Sequence, residues 1–248
     1  MQETIITIEN LTSGYGEKHI LNDISLEIYR GEIIAVIGTS GCGKTTLLKH
    51  LIGLLQPMEG DIQVLGKKLN NLDEDEFIEL RKKLGVLFQN GALLNSIPIA
   101  ENIAIPIEQH TDLSRDLINY IVKLKLQLVG LDDVMDSAPS ELSGGMRKRA
   151  ALARAIALDP EILFADEPGA GLDPVTLASL DNLLKSLKDK LGMTMVVVTH
   201  EVNSIKRIAD RIIYLSGGSV LFTGTLQEAV NSGLSELDEF FNTPDSYS

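Results

Sequence analysis

The chain has 248 residues, 44% hydrophobic and 23% charged, which suits one large α/β domain, or one with an inserted lobe, and allows a sizeable core. Its 22 basic and 35 acidic residues give a formal net charge of -13, which argues against a nucleic-acid-coating surface, because phosphate backbones require clustered Lys and Arg. Cys42 is the only cysteine, so no intrachain disulfide can form and a reducing, cytosolic setting fits. The N-terminus, Met1 to Asn10, lacks a basic segment followed by an apolar one, so no secretory signal is expected. No apolar run reaches roughly 18 residues, so no bilayer span is expected, and any service to a membrane comes from the side.

In chain order, Ile24, Leu26 and Ile28 alternate with polar neighbours, as in a half-buried strand that Gly31 ends. Ile33 to Ile37 is a continuous apolar run, the pattern of a central strand buried on both faces. A glycine-rich turn comes next, then a predicted helix over Lys44 to Ile52, with Leu47, Leu48, Leu51 and Ile52 on one face and Gly53 as its stop. Leu84 to Phe88, Ile162 to Ala165 and Met195 to Val198 predict further buried strands. Between the last two, Leu177, Leu180, Leu184, Leu187 and Leu191 lie at helical spacing, so strands alternate with helices and a mainly parallel sheet is expected. The region from about Asn90 to Asp159 reads as an inserted helical lobe, interrupted at Pro98, Pro106 and Pro139. Arg211 to Gly224 predicts two short strands joined by Ser216-Gly217-Gly218. The chain from about 226 to 248 reads as a helical tail that frays from Thr243. Its Leu234, Leu237, Phe240 and Phe241 either pack on their own domain or dock on a second copy.

Two motifs carry chemistry. Gly38-Thr39-Ser40-Gly41-Cys42-Gly43-Lys44-Thr45, with Thr46 next, matches a phosphate-binding loop placed between a buried strand and an amphipathic helix. Glycines let successive N–H groups turn inward on phosphate oxygens, and the helix adds the positive end of its dipole. Lys44 supplies a point charge for the β- and γ-phosphates and Thr45 a hydroxyl for Mg²⁺. The second motif is the apolar strand Ile162 to Ala165 ending in Asp166 and Glu167. Neighbours on an extended segment point apart, so Asp166 can serve a Mg²⁺ shell while Glu167 faces an attacking water. By itself the pair could equally be the acidic start of the next helix.

Leu142-Ser143-Gly144-Gly145-Met146 then resembles the signature of the ATP-binding cassette (ABC) family, and the order of the three motifs is that family's order. Tyr15 resembles its adenine-stacking aromatic, Gln89 its Q-loop glutamine, Gly171-Leu172-Asp173 its D-loop and His200 its switch histidine. Tyr15, Gln89 and His200 each have a plainer reading: a surface aromatic, an uninformative glutamine, a strand-end histidine. Ser143 with Gly144 and Gly145 also reads as a helix N-cap, and a helix start is itself an anion site.

The resemblance, from about Thr4 to Gly224, implies a P-loop NTPase fold with an antiparallel β layer and a helical subdomain. It implies ATP and Mg²⁺ as cofactors, with Thr45, Gln89 and Asp166 toward the metal, Glu167, His200 and Gln89 catalytic, and Ser143, Gly144, Gly145 and Asp173 acting across a head-to-tail dimer. The run after the signature, Met146 to Ala157, is Arg/Ala-rich where many members carry glutamines. With Gly91-Ala92-Leu93 and Glu101-Asn102-Ile103-Ala104 it is similar to MlaF-type ATPases of MCE-protein lipid transporters. Gly171 stands where alanine is frequent, and Arg147 to Arg149 otherwise read as a solvated basic turn, Lys148 above all.

The resemblance therefore implies an ATPase subunit on the cytoplasmic face of the inner membrane. It powers a separate multi-spanning, MlaE-like permease with an MCE-domain protein, and binds no nucleic acid. An importer ATPase for another solute, or an iron–sulfur assembly ATPase, is the alternative. The apolar-rich stretch Ala92 to Ile107 is either the permease-docking edge or lobe core.

Overall fold

The computed structural model describes residues 2–16 and 18–242. The chain forms two compact units, one of Met1–Arg81 with Thr194–Ser248 and one of Lys82–Met193.

The first unit opens with β1 (Thr4–Tyr15) and β2 (Lys18–Tyr29), paired antiparallel with Ile8 opposite Leu26 and Leu11 opposite Ile24. β3 (Ile33–Gly38), α1 (Lys44–Leu51), β4 (Glu59–Val64), the two-residue β5 (Lys67–Lys68) and α2 (Glu74–Arg81) come next. β2, β1, β4 and β5 form one antiparallel sheet in that order.

The second unit runs β6 (Leu84–Leu87), α3 (Ile99–His110), α4 (Arg115–Leu128), α5 (Gly144–Ala155), β7 (Ile162–Asp166) and α6 (Pro174–Leu191). β6 and β7 pair in parallel, Val86 opposite Phe164. The chain then returns to the first unit with β8 (Thr194–Val198), α7 (Val202–Ile208), β9 (Arg211–Ser216), β10 (Ser219–Thr225), α8 (Leu226–Val230) and α9 (Ser235–Asn242).

Every residue of β3 is buried, as a continuous apolar run requires of a strand covered on both faces. β3 lies between β9 and β8, parallel to both, with Ala35 opposite Ile212 and Val197; β10 adds antiparallel to β9. The fold is α/β, with an antiparallel sheet and a mixed one.

Predicted bounds move by a residue or so. α1 stops at Leu51 because Ile52 already leaves helical geometry, at φ -91 and ψ 5. β6 stops at Leu87, and Phe88 is exposed. Of the five leucines read at helical spacing in α6, Leu191 alone faces solvent, one residue before the left-handed Gly192 that ends the helix. β1, β4 and α2 had no predicted counterpart. α2 buries only Leu80, so little apolar periodicity marked it.

Leu237 and Phe241 of α9 are buried in the first unit's own core with Ala35, Ile37, Ile205 and Tyr214. Phe240 meets Tyr214 edge-on, with centroids 6.0 Å apart. Residues 243–248 lie outside the described residues.

Candidate active site

In the first unit the phosphate loop is set by β3 and α1. Gly38 closes β3 at φ 144, and a Cβ there would sit 2.1 Å from the Leu215 carbonyl oxygen of β9. A neighbouring backbone cannot retreat as a flexible side chain can, so only glycine fits. Thr39, Ser40 and Gly41 are exposed, Cys42 is buried, and the left-handed Gly43 caps α1. Lys44 Nζ donates to the carbonyl oxygens of Gly38 and Thr39, each at 2.9 Å, and lies 3.9 Å from Cys42 Sγ. The ammonium is thereby fixed above its own loop. Thr45 is exposed on the first turn of α1 and Thr46 is half-buried; that turn holds no acidic residue, so its N–H groups keep their positive field.

His50, near the end of the same helix, is fully buried, a placement that sequence reasoning missed. Its Nδ1 lies 3.0 Å from the Leu55 carbonyl oxygen and its Nε2 2.5 Å from Ser13 Oγ. A carbonyl only accepts, so Nδ1 carries the proton and Nε2 accepts from the Ser13 hydroxyl. α1 is thus tied to β1 two residues before Tyr15. Tyr15 ends β1, and its side chain lies outside the described residues. A lone histidine gives no sequence signal of such a link. His200 comes after β8 with its side chain 62% exposed and Nε2 3.6 Å from Glu201 Oε1.

In the second unit β7 delivers the acidic pair. Asp166 is its last residue, and Glu167 takes φ 45, an uncommon conformation for a residue with a Cβ. Gln89 lies just past β6 and is exposed. The signature begins α5: Ser143 is the N-cap and its Oγ accepts from Met146 N at 3.3 Å. Gly144 and Gly145 form the first turn, and a Cβ on Gly145 would lie 2.5 Å from Thr176 Cγ2 of α6. Asp173 caps α6, accepting from Val175 N and Thr176 N at 3.0 Å and from Thr176 Oγ1 at 2.5 Å. These bonds, from Thr176 above all, hold its carboxyl below the usual carboxylate range.

The solvated reading of Lys148 is corrected by the structure. The residue is 9% exposed, and its Nζ donates to the Gln89 carbonyl oxygen and, at 3.5 Å, to that of Glu167. In the last turn of α5, Arg154 donates to Gly91 O at 2.9 Å and Ala92 O at 2.7 Å. Arg147 is exposed; Arg149 donates to Val129 O and Ser179 Oγ. A charge run cannot show which of its members the helix turns inward.

The stretch Ala92 to Ile107 divides. Ile99, Ile103, Ala104 and Ile107 are lobe core, whereas Leu94 is 49% exposed. The fully buried Asn102 shapes the loop between them, accepting from Leu94 N at 2.7 Å and donating to the carbonyls of Leu94, Ile97 and Pro98.

Residues 21–170 match the ABC transporter family. The Haemophilus influenzae intermembrane phospholipid transport system ATP-binding protein MlaF is 42% identical over 94% of this chain and 88% of its own. The Mycobacterium leprae probable ribonucleotide transport ATP-binding protein mkl is 40% identical over 96% of this chain and 68% of its own. A solved dimeric ATP-binding cassette, in a post-hydrolysis state bound to ADP and Pi, matches with TM-score 0.81 and 33% identity, covering 90% of this chain and 99% of that one. With the phosphate loop, the acidic strand end and the signature helix each in its element, the chain belongs to the ABC transporter family and is an ATP-hydrolysing subunit.

Proposed function

We propose that this chain hydrolyses ATP as a head-to-tail dimer beneath a separate membrane permease, an MlaE-like protein working with an MCE-domain partner, and that the system moves phospholipid. The observation that carries the nucleotide reading is the Lys44 ammonium fixed over the loop by Gly38 and Thr39. The lipid reading rests on the 42% identity to a protein named for intermembrane phospholipid transport. Among the described residues no helix is long and apolar enough to cross a membrane.

Lys44 and the loop amides bind the β- and γ-phosphates, and Glu167 orients and polarises the attacking water. His200 contacts the γ-phosphate, and Ser143, at the start of α5, presents N–H groups to the nucleotide held by the second copy. Asp173 acts across the same dimer, beside its capping role in its own chain. Thr45, Gln89 and Asp166 offer a hydroxyl, an amide oxygen and a carboxylate, hard oxygen donors of the kind Mg²⁺ takes, and Thr45 is exposed beside Lys44. When bound, Mg²⁺ neutralises charge on the phosphates. The exposed Leu94, with Phe88 before it, is where the permease docks on the cytoplasmic side.

The test is purification in mild detergent with identification of co-purifying proteins and lipids. A multi-spanning permease, an MCE protein and bound phospholipid are expected. Co-purification with an amino-acid or nucleotide importer overturns the lipid reading and favours the second one, another solute, which the 40% identity to mkl supports.

A further inference from the structure

Lys148 faces inward on α5, one turn past the signature glycines. Its Nζ donates to two carbonyl oxygens that lie 78 positions apart in sequence, Gln89 O and Glu167 O. Both belong to residues read as serving the reacting end of the nucleotide. The backbone that Lys148 grips is unusual: Glu167 has φ 45, and Ala92, held by Arg154 from the same helix, has φ 50. Such conformations persist where surrounding contacts over-determine them.

We propose that Lys148 is a positioning residue that fixes the Q-loop backbone at Gln89 and the backbone of Glu167 relative to each other through one buried ammonium. The inference rests on the reading of Glu167 as the water-polarising carboxylate. Two groups that must meet the same phosphate and the same water gain from a shared anchor, because a small misplacement of either loses rate with little loss of nucleotide binding. A lysine suits the task because its three N–H donors rotate about a single nitrogen and can serve two carbonyls at once.

The experiment compares Lys148→Met and Lys148→Arg in the full chain, by steady-state ATP hydrolysis and by equilibrium binding of a fluorescent ATP analogue. Lys148→Met is expected to lower kcat by about 10- to 100-fold with the analogue's Kd within about threefold of the parent, and Lys148→Arg to restore most of kcat. Equal losses in kcat and binding, or kcat within about twofold of the parent, overturn the proposal. If Lys148→Met does not fold, Lys148→Gln decides, since its shorter, neutral amide lacks the charge and reach of the ammonium: a kcat loss is expected, and full kcat overturns it. Glu167→Gln, measured alongside, separates the premises. If it turns over normally, the assignment of Glu167 falls first; if it is inactive while Lys148→Met is normal, only the role of Lys148 falls.

Discussion

The Lys44 ammonium donates at 2.9 Å to the carbonyl oxygen of Gly38, six positions earlier in its own loop. With Thr39 O as second acceptor, two of its three N–H groups are committed to backbone and the third lies nearest a weak acceptor, Cys42 Sγ. The charge is therefore set in place before it is used, and a phosphate oxygen is a better acceptor than the sulfur. Lys44→Ala should lose ATP binding itself, by about 10²-fold or roughly 3 kcal/mol, as expected for a charged partner of an anion. Isothermal titration with ATP checks this. Binding within about threefold of the parent would move the phosphate contact elsewhere.

Gly145 and Thr176 join the signature helix to the helix that Asp173 caps. A Cβ on Gly145 meets a β-branched methyl that is held by the Thr176 Oγ1 bond to Asp173. Gly145→Ala should destabilise by about 1–3 kcal/mol through overpacking. Adding Thr176→Ser removes the methyl, keeps the hydroxyl on Asp173, and should recover most of the loss. Thermal melts of both variants test it, and absence of rescue would place the clash elsewhere.

His50 makes a pH prediction for the first unit. Burial lowers its pKa from the ordinary 6.5, the Leu55 carbonyl opposing that only in part. The unfolded chain thus takes up a proton near pH 6.5 that the folded chain resists to lower pH. The contribution to stability is full above about 6.5 and falls as pH drops toward the folded value. Thermal unfolding between pH 7.5 and 5.5 should show a falling midpoint that His50→Gln flattens. Equal slopes for parent and variant would exclude His50 as the source.

The phosphate loop, the acidic strand end and the three-motif order were legible in the sequence because they place particular residue types at fixed spacing. Gly38 to Thr45, Asp166 with Glu167, and Ser143 with Gly145 fall where strand ends and helix starts place them. What stayed hidden was tertiary. Lys148, in a basic run, looked solvated and is buried against two backbone carbonyls; nothing local records partners 59 and 19 positions away. His50 likewise finds Ser13 at a distance of 37 positions. β4 went unseen because only its Ile62 and Val64 are buried, and β1 because repeated register shifts break the plain alternation of its buried residues.

Leu94 tests the permease. It is half exposed on a loop whose backbone Asn102 pins, so a change of its side chain leaves the loop's shape intact. Leu94→Glu should abolish co-fractionation with membranes while ATP affinity stays within about twofold, because a charge in an apolar contact costs several kcal/mol there and nothing at the loop of Lys44. Fractionation of cells expressing the variant checks it. Retained association would count against docking at this loop.

Glu167→Gln should hold ATP and barely hydrolyse it. Glutamine keeps nearly the same volume at the end of β7, so Asp166 and the backbone that Lys148 contacts are undisturbed. On the proposed role of Glu167, what is lost is the charged acceptor that orients and polarises the water, a loss of about 10²–10⁴-fold in rate, or roughly 3–5 kcal/mol. ATP held between the phosphate loop of one copy and Ser143 of the other should then persist. The variant should elute as a dimer in ATP and a monomer without it, whereas Lys44→Ala should remain monomeric under both conditions, having failed at binding. Size-exclusion chromatography with light scattering reads the difference directly. Near-normal turnover by Glu167→Gln would show that another group orients the water, and a monomer in ATP would show that the signature serine does not close on a second copy.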